Sequence, residues 1–197
     1  MMINKILKDY KIILASQSPR RQYLLKELGI DFEIISNSEM EEKYPPELTK
    51  EKIPVYLAEM KAKAIMPSVP DKTLLITADT IVWLNNKVIN KPSGYDDALN
   101  MLEELSGEMH EVITGVCLTT SKRKHSFHTS TLVYFATLSK EEIRYYVEQY
   151  RPYDKAGAYG IQEWIGYIGI ERIEGSYFNV MGLPVQELYR EMIKFLS

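Results

Sequence analysis

Leu14-Ala15-Ser16-Gln17-Ser18-Pro19-Arg20-Arg21 is the stretch on which the reading of the fold turns. Before it, Lys11 to Leu14 is a short, β-branched apolar run that reads as a buried strand. From Pro19 the pattern becomes helical, with Tyr23, Leu24, Leu25 and Leu28 on one face and Gly29 as the stop. Ser18 suits the N-cap and Pro19 the first helical position. Ser16, Ser18, Arg20 and Arg21 therefore cluster where a strand ends and a helix begins. Unpaired backbone N–H groups and the positive end of the helix dipole make that junction suitable for an anion. Two guanidinium forks beside it match phosphate oxygens, although an ordinary capped surface helix with solvated arginines has the same pattern.

Working outward, Phe32 to Ile35 reads as a second strand, followed by the acidic run Ser38-Glu39-Met40-Glu41-Glu42-Lys43 and the helix-breaking Pro45-Pro46. That run is either a solvated loop or the source of a carboxylate for a divalent cation, since Mg²⁺ takes only one or two carboxylates. Pro54 to Ile65 forms a helix with Leu57, Met60, Ala64 and Ile65 facing one way. Lys61 and Lys63 lie on different faces, so at least one lysine is free to look into a cleft. Thr73 to Thr77 is a continuous apolar strand that ends in Ala78-Asp79-Thr80. Ile81 to Leu84 and Lys87 to Ile89 pair across Asn85-Asn86, because asparagine tolerates positive φ. Asp79 is expected at the tip of a buried strand, where α/β proteins place ligand crevices; capping a turn is the alternative. Lys91-Pro92 follows the return strand.

Ser93 to Leu105 is an amphipathic helix with Ala98, Leu99, Leu102 and Leu105 on its inner face, closed by Ser106-Gly107. Glu111 to Thr120 and Phe127 to Phe135 form a hairpin with the basic tip Lys122-Arg123-Lys124. Ser139-Lys140-Glu141-Glu142 is a capping box that opens a helix to about Tyr150. In Asp154-Lys155-Ala156-Gly157-Ala158-Tyr159-Gly160-Ile161-Gln162 the small residues imply close backbone approach. Gln162 offers a donor and an acceptor together, as a reader of a nucleobase edge requires. Ile168 to Ile173 reads as a strand, Glu174 to Tyr177 as a turn, and Leu183-Pro184 opens a C-terminal helix.

The 197 residues are expected to form one domain, 1–197, with a single core. A 45% hydrophobic and 26% charged composition is that of a globular protein, and a net charge of −3 argues against general nucleic-acid or membrane-surface binding. Cys117 is the only cysteine, which excludes an internal disulfide and a cysteine zinc site; it is expected in the core. His110, His125 and His128 lack metal-ligand spacing, and the last two are expected to be exposed beside the hairpin. No segment reads as a bilayer span or a signal peptide, so a cytoplasmic protein is expected.

The polar punctuation comprises Ser16, Arg20, Arg21, Glu41, Lys61, Asp79, Lys91, Asp154, Lys155 and Gln162. Bases for phosphate oxygens, acids for a metal and one amide reader add up to a nucleoside-triphosphate site. It is neither a P-loop nor a Gly-x-Gly-x-x-Gly site, since both motifs are absent. The ordered set Leu14–Arg21, Lys61-Ala62, Ala78-Asp79-Thr80, Lys91-Pro92, Leu105-Ser106-Gly107, Asp154–Gln162 and Gly182-Leu183-Pro184 resembles the Maf family of nucleoside triphosphate pyrophosphatases. That resemblance implies an α/β, inosine-triphosphatase-like fold: an elongated, bent mixed β-sheet flanked by helices around a deep nucleotide cleft. It implies cleavage between the α- and β-phosphates with a divalent cation, Mg²⁺ or Mn²⁺. By the same resemblance Asp79 is the proton acceptor, and Glu41 with Asp79 lies near the metal. Ser16, Arg20, Arg21, Lys61 and Lys91 contact phosphates, Asp154 and Lys155 belong to the substrate site, and Arg20, Thr80 and Gln162 set selectivity. The Asp154–Gln162 string resembles the dTTP and UTP branch rather than the 7-methyl-GTP branch. Gln17 and Glu163-Trp164 depart from the family pattern, which bears on base preference. The resemblance allows a homodimer and carries a rival reading, a non-catalytic, nucleotide-binding regulator of septum formation.

Overall fold

Lys11–Leu14 forms β1, and from there the chain builds a mixed sheet in the computed structural model, which describes residues 6–35 and 43–197. β1 pairs in parallel with the two-residue β2 (Glu33–Ile34) and with β3 (Thr73–Leu84), Leu14 lying opposite Ile76. β3 pairs antiparallel with β4 (Lys87–Ile89) across Asn85 and Asn86, whose φ values of 49° and 63° suit a tight primed turn. β5 (Met109–Thr119), β6 (Lys124–Phe135) and β7 (Ile170–Glu174) complete the order β2-β1-β3-β5-β6-β7, with β4 on β3. Parallel and antiparallel pairs in one sheet, with helices between the strands, make the chain mixed α/β, as expected.

Helices among the described residues include α1 (Pro19–Glu27), α2 (Lys52–Ile65), α3 (Tyr95–Leu105), α4 (Lys140–Tyr150), α5 (Trp164–Gly169), α6 (Tyr177–Met181) and α7 (Val185–Leu196). Two helix starts match their sequence signals. Ser18 caps α1 by accepting the Arg21 N–H, and Ser139 with Glu142 closes a reciprocal capping box on α4. No helix among the described residues is long and apolar enough to cross a membrane.

The chain divides into two compact units, with β3, β5 and β6 contributing residues to both. The first comprises Met1–Asp79, Thr114–Thr129 and Gly182–Ser197. Its core contains Ile13, Ala15, Ala58, Ala62, Ile65, Leu75 and Cys117, so the cysteine is core as expected. α2 lies almost in backbone contact with β5: a Cβ on Gly115 would stand 2.3 Å from the Pro54 carbonyl carbon. Burial therefore favours Ala58 and Ala62, small enough for such an approach, whereas Ala64, expected inside, is exposed. On α1, Tyr23 likewise turns outward, 56% exposed.

The second unit, Thr80–Ile113 and Ser130–Met181, packs Ala98, Leu102 and Leu105 of α3 with Ile143, Tyr146 and Val147 of α4 in its buried set. Three sequence expectations change here and nearby. The separate strands 73–77 and 81–84 are one continuous β3, because hydrogen bonding to β5 carries the ladder past the point where β1 stops. The strand expected at 168–173 begins only at Ile170, and Trp164–Gly169 is helical; its two glycines had hidden the helical signal. Tyr177–Met181 is a short helix rather than the end of a turn.

Candidate active site

Ser16 leaves the end of β1 buried, 8% exposed, and its hydroxyl accepts the Ser18 amide at 3.2 Å. Gln22 of α1 donates its side-chain amide to the Ser16 carbonyl at 3.1 Å, which ties the loop to the helix it precedes. No acidic residue occupies the first turn of α1, so nothing there neutralises its positive end. Arg20, half-buried, and Arg21 stand in that turn. Arg21 does more than offer charge. Its Nε donates to the Gly182 carbonyl at 2.8 Å and its Nη1 to the Ala78 carbonyl at 3.0 Å. The guanidinium thereby fastens α1 to β3 one residue before Asp79, and to the chain just ahead of α7.

Asp79 sits inside β3, 5% exposed, and not at a strand tip. It shares its side of the strand with Thr77, because side chains alternate along a strand. Both meet α2. The Thr77 hydroxyl donates to the Ala58 carbonyl at 2.7 Å, and one turn further on Lys61 Nζ meets Asp79 Oδ1 at 2.5 Å. Of the two lysines weighed on this helix, Lys61 therefore turns inward, its side chain 17% exposed, while Lys63 is exposed. A buried carboxylate must be paired or hydrogen-bonded, and Lys61 supplies that pairing. The first unit thus unites Ser16, Arg21, Lys61 and Asp79 around the α1 N-terminus and the middle of β3.

The remaining expected residues belong to the second unit. Thr80 follows in β3, half-buried; Lys91 is exposed two residues past β4; Asp154 is exposed, Lys155 buried and Gln162 half-buried. Gly157, with φ of 71°, supplies the left-handed conformation that turns the Asp154–Gln162 segment. Lys155 Nζ meets Asp154 Oδ1 at 2.7 Å and Glu163 Oε1 at 3.1 Å. Glu163 Oε2 accepts the hydroxyl of Tyr146, and that same oxygen of Tyr146 accepts the Gly160 amide at 3.0 Å. Burial, reinforced by the Glu163 carboxylate, pushes the Tyr146 phenol far above its usual range, so it stays protonated and able to donate. Gln162 Oε1 is buried without a hydrogen-bond partner among the described residues. Tyr146 was invisible as a site residue in the sequence, where it merely continues the apolar face of Ile143 and Val147. Its polar role depends on a partner 17 residues away.

His125, expected to be exposed, keeps 40% of its side chain exposed while its Nε2 reaches Glu191 of α7 at 2.6 Å, and His128 is exposed as expected. Glu41 lies outside the described residues. Among the described residues no group of three or more His, Cys, Asp or Glu side chains is placed to hold a metal. The hard oxygen donor of Asp79 suits Mg²⁺ or Mn²⁺, which needs few protein ligands when phosphates and water complete its shell.

A family model described as Maf-like protein matches residues 11–195. The dTTP/UTP pyrophosphatase of Parabacteroides distasonis is 54% identical over 189 residues, covering 96% of this chain and 98% of that protein. That of Phocaeicola vulgatus is 57% identical over 188 residues, covering 95% and 97%. Among solved structures, a HAM1 protein from Coxiella burnetii aligns over 94% of this chain and 99% of that one, with 14% identity and a TM-score of 0.48.

Proposed function

Because the chain belongs to the Maf-like protein family, we propose that it is a nucleoside triphosphate pyrophosphatase acting on dTTP and UTP. Relatives more than half identical over nearly the whole of both chains, and named for that activity, carry this reading. The reaction adds water to the α-phosphorus, breaks the bond to the bridging oxygen, and releases a nucleoside monophosphate and pyrophosphate.

Asp79 takes the proton from the attacking water. Its place in the middle of a hydrogen-bonded strand holds it still, and a fixed base within reach of its water is what general-base catalysis needs. Lys61 beside it keeps a positive charge where phosphate negative charge gathers, as do Arg20 and Arg21 at the α1 N-terminus, with Ser16 donating to a phosphate oxygen. Lys91 is assigned to the polyphosphate and Thr80 and Asp154 to the rest of the substrate. A divalent cation, held by Asp79 and by Glu41, would neutralise charge on the phosphate oxygens.

Gln162 reads the base. Uracil and thymine present an N3–H donor beside a carbonyl acceptor, and one amide satisfies both; cytosine presents the reverse pattern at those atoms. The buried, unfilled acceptor Oε1 supports this role. Cytoplasmic nucleotides are the substrates this reading implies.

Pyrophosphate release from UTP, dTTP, CTP, ATP, GTP and 7-methyl-GTP, with Mg²⁺ or Mn²⁺ and after chelation, tests the reading. Turnover of UTP and dTTP that vanishes on chelation and returns with metal is expected. Tight nucleotide binding with no pyrophosphate released would establish the non-catalytic regulator instead.

A further inference from the structure

The segment that carries Gln162 is pinned from behind by three side chains of its own unit. Tyr146 of α4 is fully buried, and its hydroxyl joins the Gly160 amide to the Glu163 carboxylate. The other oxygen of Glu163 takes Lys155, and Lys155 takes Asp154. The start, middle and end of the segment are thus tied into one chain of hydrogen bonds. The packing around it is tight. A Cβ on Gly160 would come 2.8 Å from the Glu163 carboxyl carbon, and one on Gly166 would come 1.9 Å from the Ile161 carbonyl oxygen. The Glu163 amide also donates to the Gly160 carbonyl at 3.0 Å. Gln162 lies between these fixed points.

We infer that the chain Tyr146–Glu163–Lys155 is the positioning device that aims the Gln162 amide, and through it sets the preference for uracil and thymine over cytosine. This rests on the reading of Gln162 as the base reader. In this device Tyr146 and Glu163 act through the backbone on either side of residue 162, to which Tyr146 is joined by the Gly160 amide. Buried Lys155 belongs to this device, since its ammonium is turned onto two carboxylates of its own segment. A side-chain network of this kind, whose members lie far apart in the chain, has no signature in the sequence, yet it can decide which way the amide faces. Turning the amide over exchanges its donor and acceptor and swaps a matched base edge for a mismatched one. Sites built on hydrogen bonds discriminate strongly because a mismatch leaves buried polar groups unpaired.

The test measures kcat and KM of the full chain for UTP and CTP. In Tyr146→Phe, KM for UTP is expected to rise about five- to tenfold with kcat within about threefold, and the UTP:CTP ratio of kcat/KM to fall by a similar factor, the scale of one lost hydrogen bond. Glu163→Gln, which still accepts from Tyr146, retains most of the ratio, whereas Glu163→Ala loses it. A ratio left intact in Tyr146→Phe and Glu163→Ala, with kcat lowered equally for both nucleotides, shows a merely structural role and overturns the inference. Gln162→Leu separates the two levels. If it abolishes the UTP preference while Tyr146→Phe leaves it, only the positioning fails. If the native chain shows no preference, or keeps it in Gln162→Leu, the base-reading role fails and the inference with it.

Discussion

Lys61 Nζ lies 2.5 Å from Asp79 Oδ1, a helix side chain closing on a carboxylate in the middle of a buried strand. The pair places the proposed proton acceptor against a positive charge, both largely removed from water, and it depends on the alignment of α2 over β3 that Thr77 and Ala58 also share.

Asp79→Asn keeps the shape of the side chain and removes both its basicity and its charge. Turnover is expected to fall by about 10² to 10⁴, with the circular-dichroism spectrum retained. Stability is expected to drop by about 1–3 kcal/mol, because Lys61 loses its carboxylate. Pyrophosphate release beside urea denaturation checks both. Full activity in this variant would remove Asp79 from the mechanism.

Arg21→Lys replaces a fork that spans the Gly182 and Ala78 carbonyls with a single ammonium. One of the two bonds is lost whichever the lysine chooses, and hydrogen bonds from charged groups contribute about 1.5–3 kcal/mol each. A fall in denaturation midpoint is the expected outcome, accompanied by a higher KM for UTP, since α1 and its N-terminal amides are held less firmly by one remaining bond.

His110 gives a pH dependence. It is 1% exposed, its Nε2 lies 2.7 Å from the Tyr159 hydroxyl, and its ring packs edge-on against Phe135 and Tyr159. Burial pulls its pKa down to about 4 from the usual 6.5. The folded state therefore resists protonation while the unfolded state accepts a proton. Stability is full above pH 6.5 and declines as the pH falls toward 4, by about 3 kcal/mol in all. Urea midpoints at pH 7.5 and 4.5 should diverge by less in His110→Phe than in the native chain. Equal acid sensitivity in the two proteins would exclude His110 as the cause.

Gly115→Ala forces a methyl group into the backbone of Pro54 and Val55, 2.3 Å away, where no flexible side chain can yield. Overpacking of this kind costs about 1–3 kcal/mol. Because α2 must retreat to make room, Lys61 retreats from Asp79 as well. A lowered melting temperature with a lowered kcat is expected, and a drop in stability alone would show that the Lys61–Asp79 pair tolerates movement of the helix.

Local signals were legible because they are complete within a few residues. The Ser18 cap before Pro19, the Ser139–Glu142 capping box and the Asn85-Asn86 turn each satisfy their own hydrogen bonds or dihedral demands, and each stands where the chain pattern placed it. Periodicity was less dependable where packing overrode it, as with Ala64 and Tyr23, which turned outward. α5 escaped notice because glycine weakens the helical pattern that α5 nonetheless adopts.

By itself the sequence determined the mixed strand and helix content, the helix caps, and which ionisable side chains were available for a polyphosphate. It could not determine which of them meet. Lys61 and Asp79 are 18 residues apart, Tyr146 and Glu163 17, and Arg21 and Gly182 161. Such pairs form only when strand register, helix alignment and close packing are set together, and those depend on the summed burial of many side chains rather than on any one stretch of chain. The continuous ladder of β3, which carries Asp79 through the sheet instead of leaving it at a tip, was decided in the same way, by its neighbour β5.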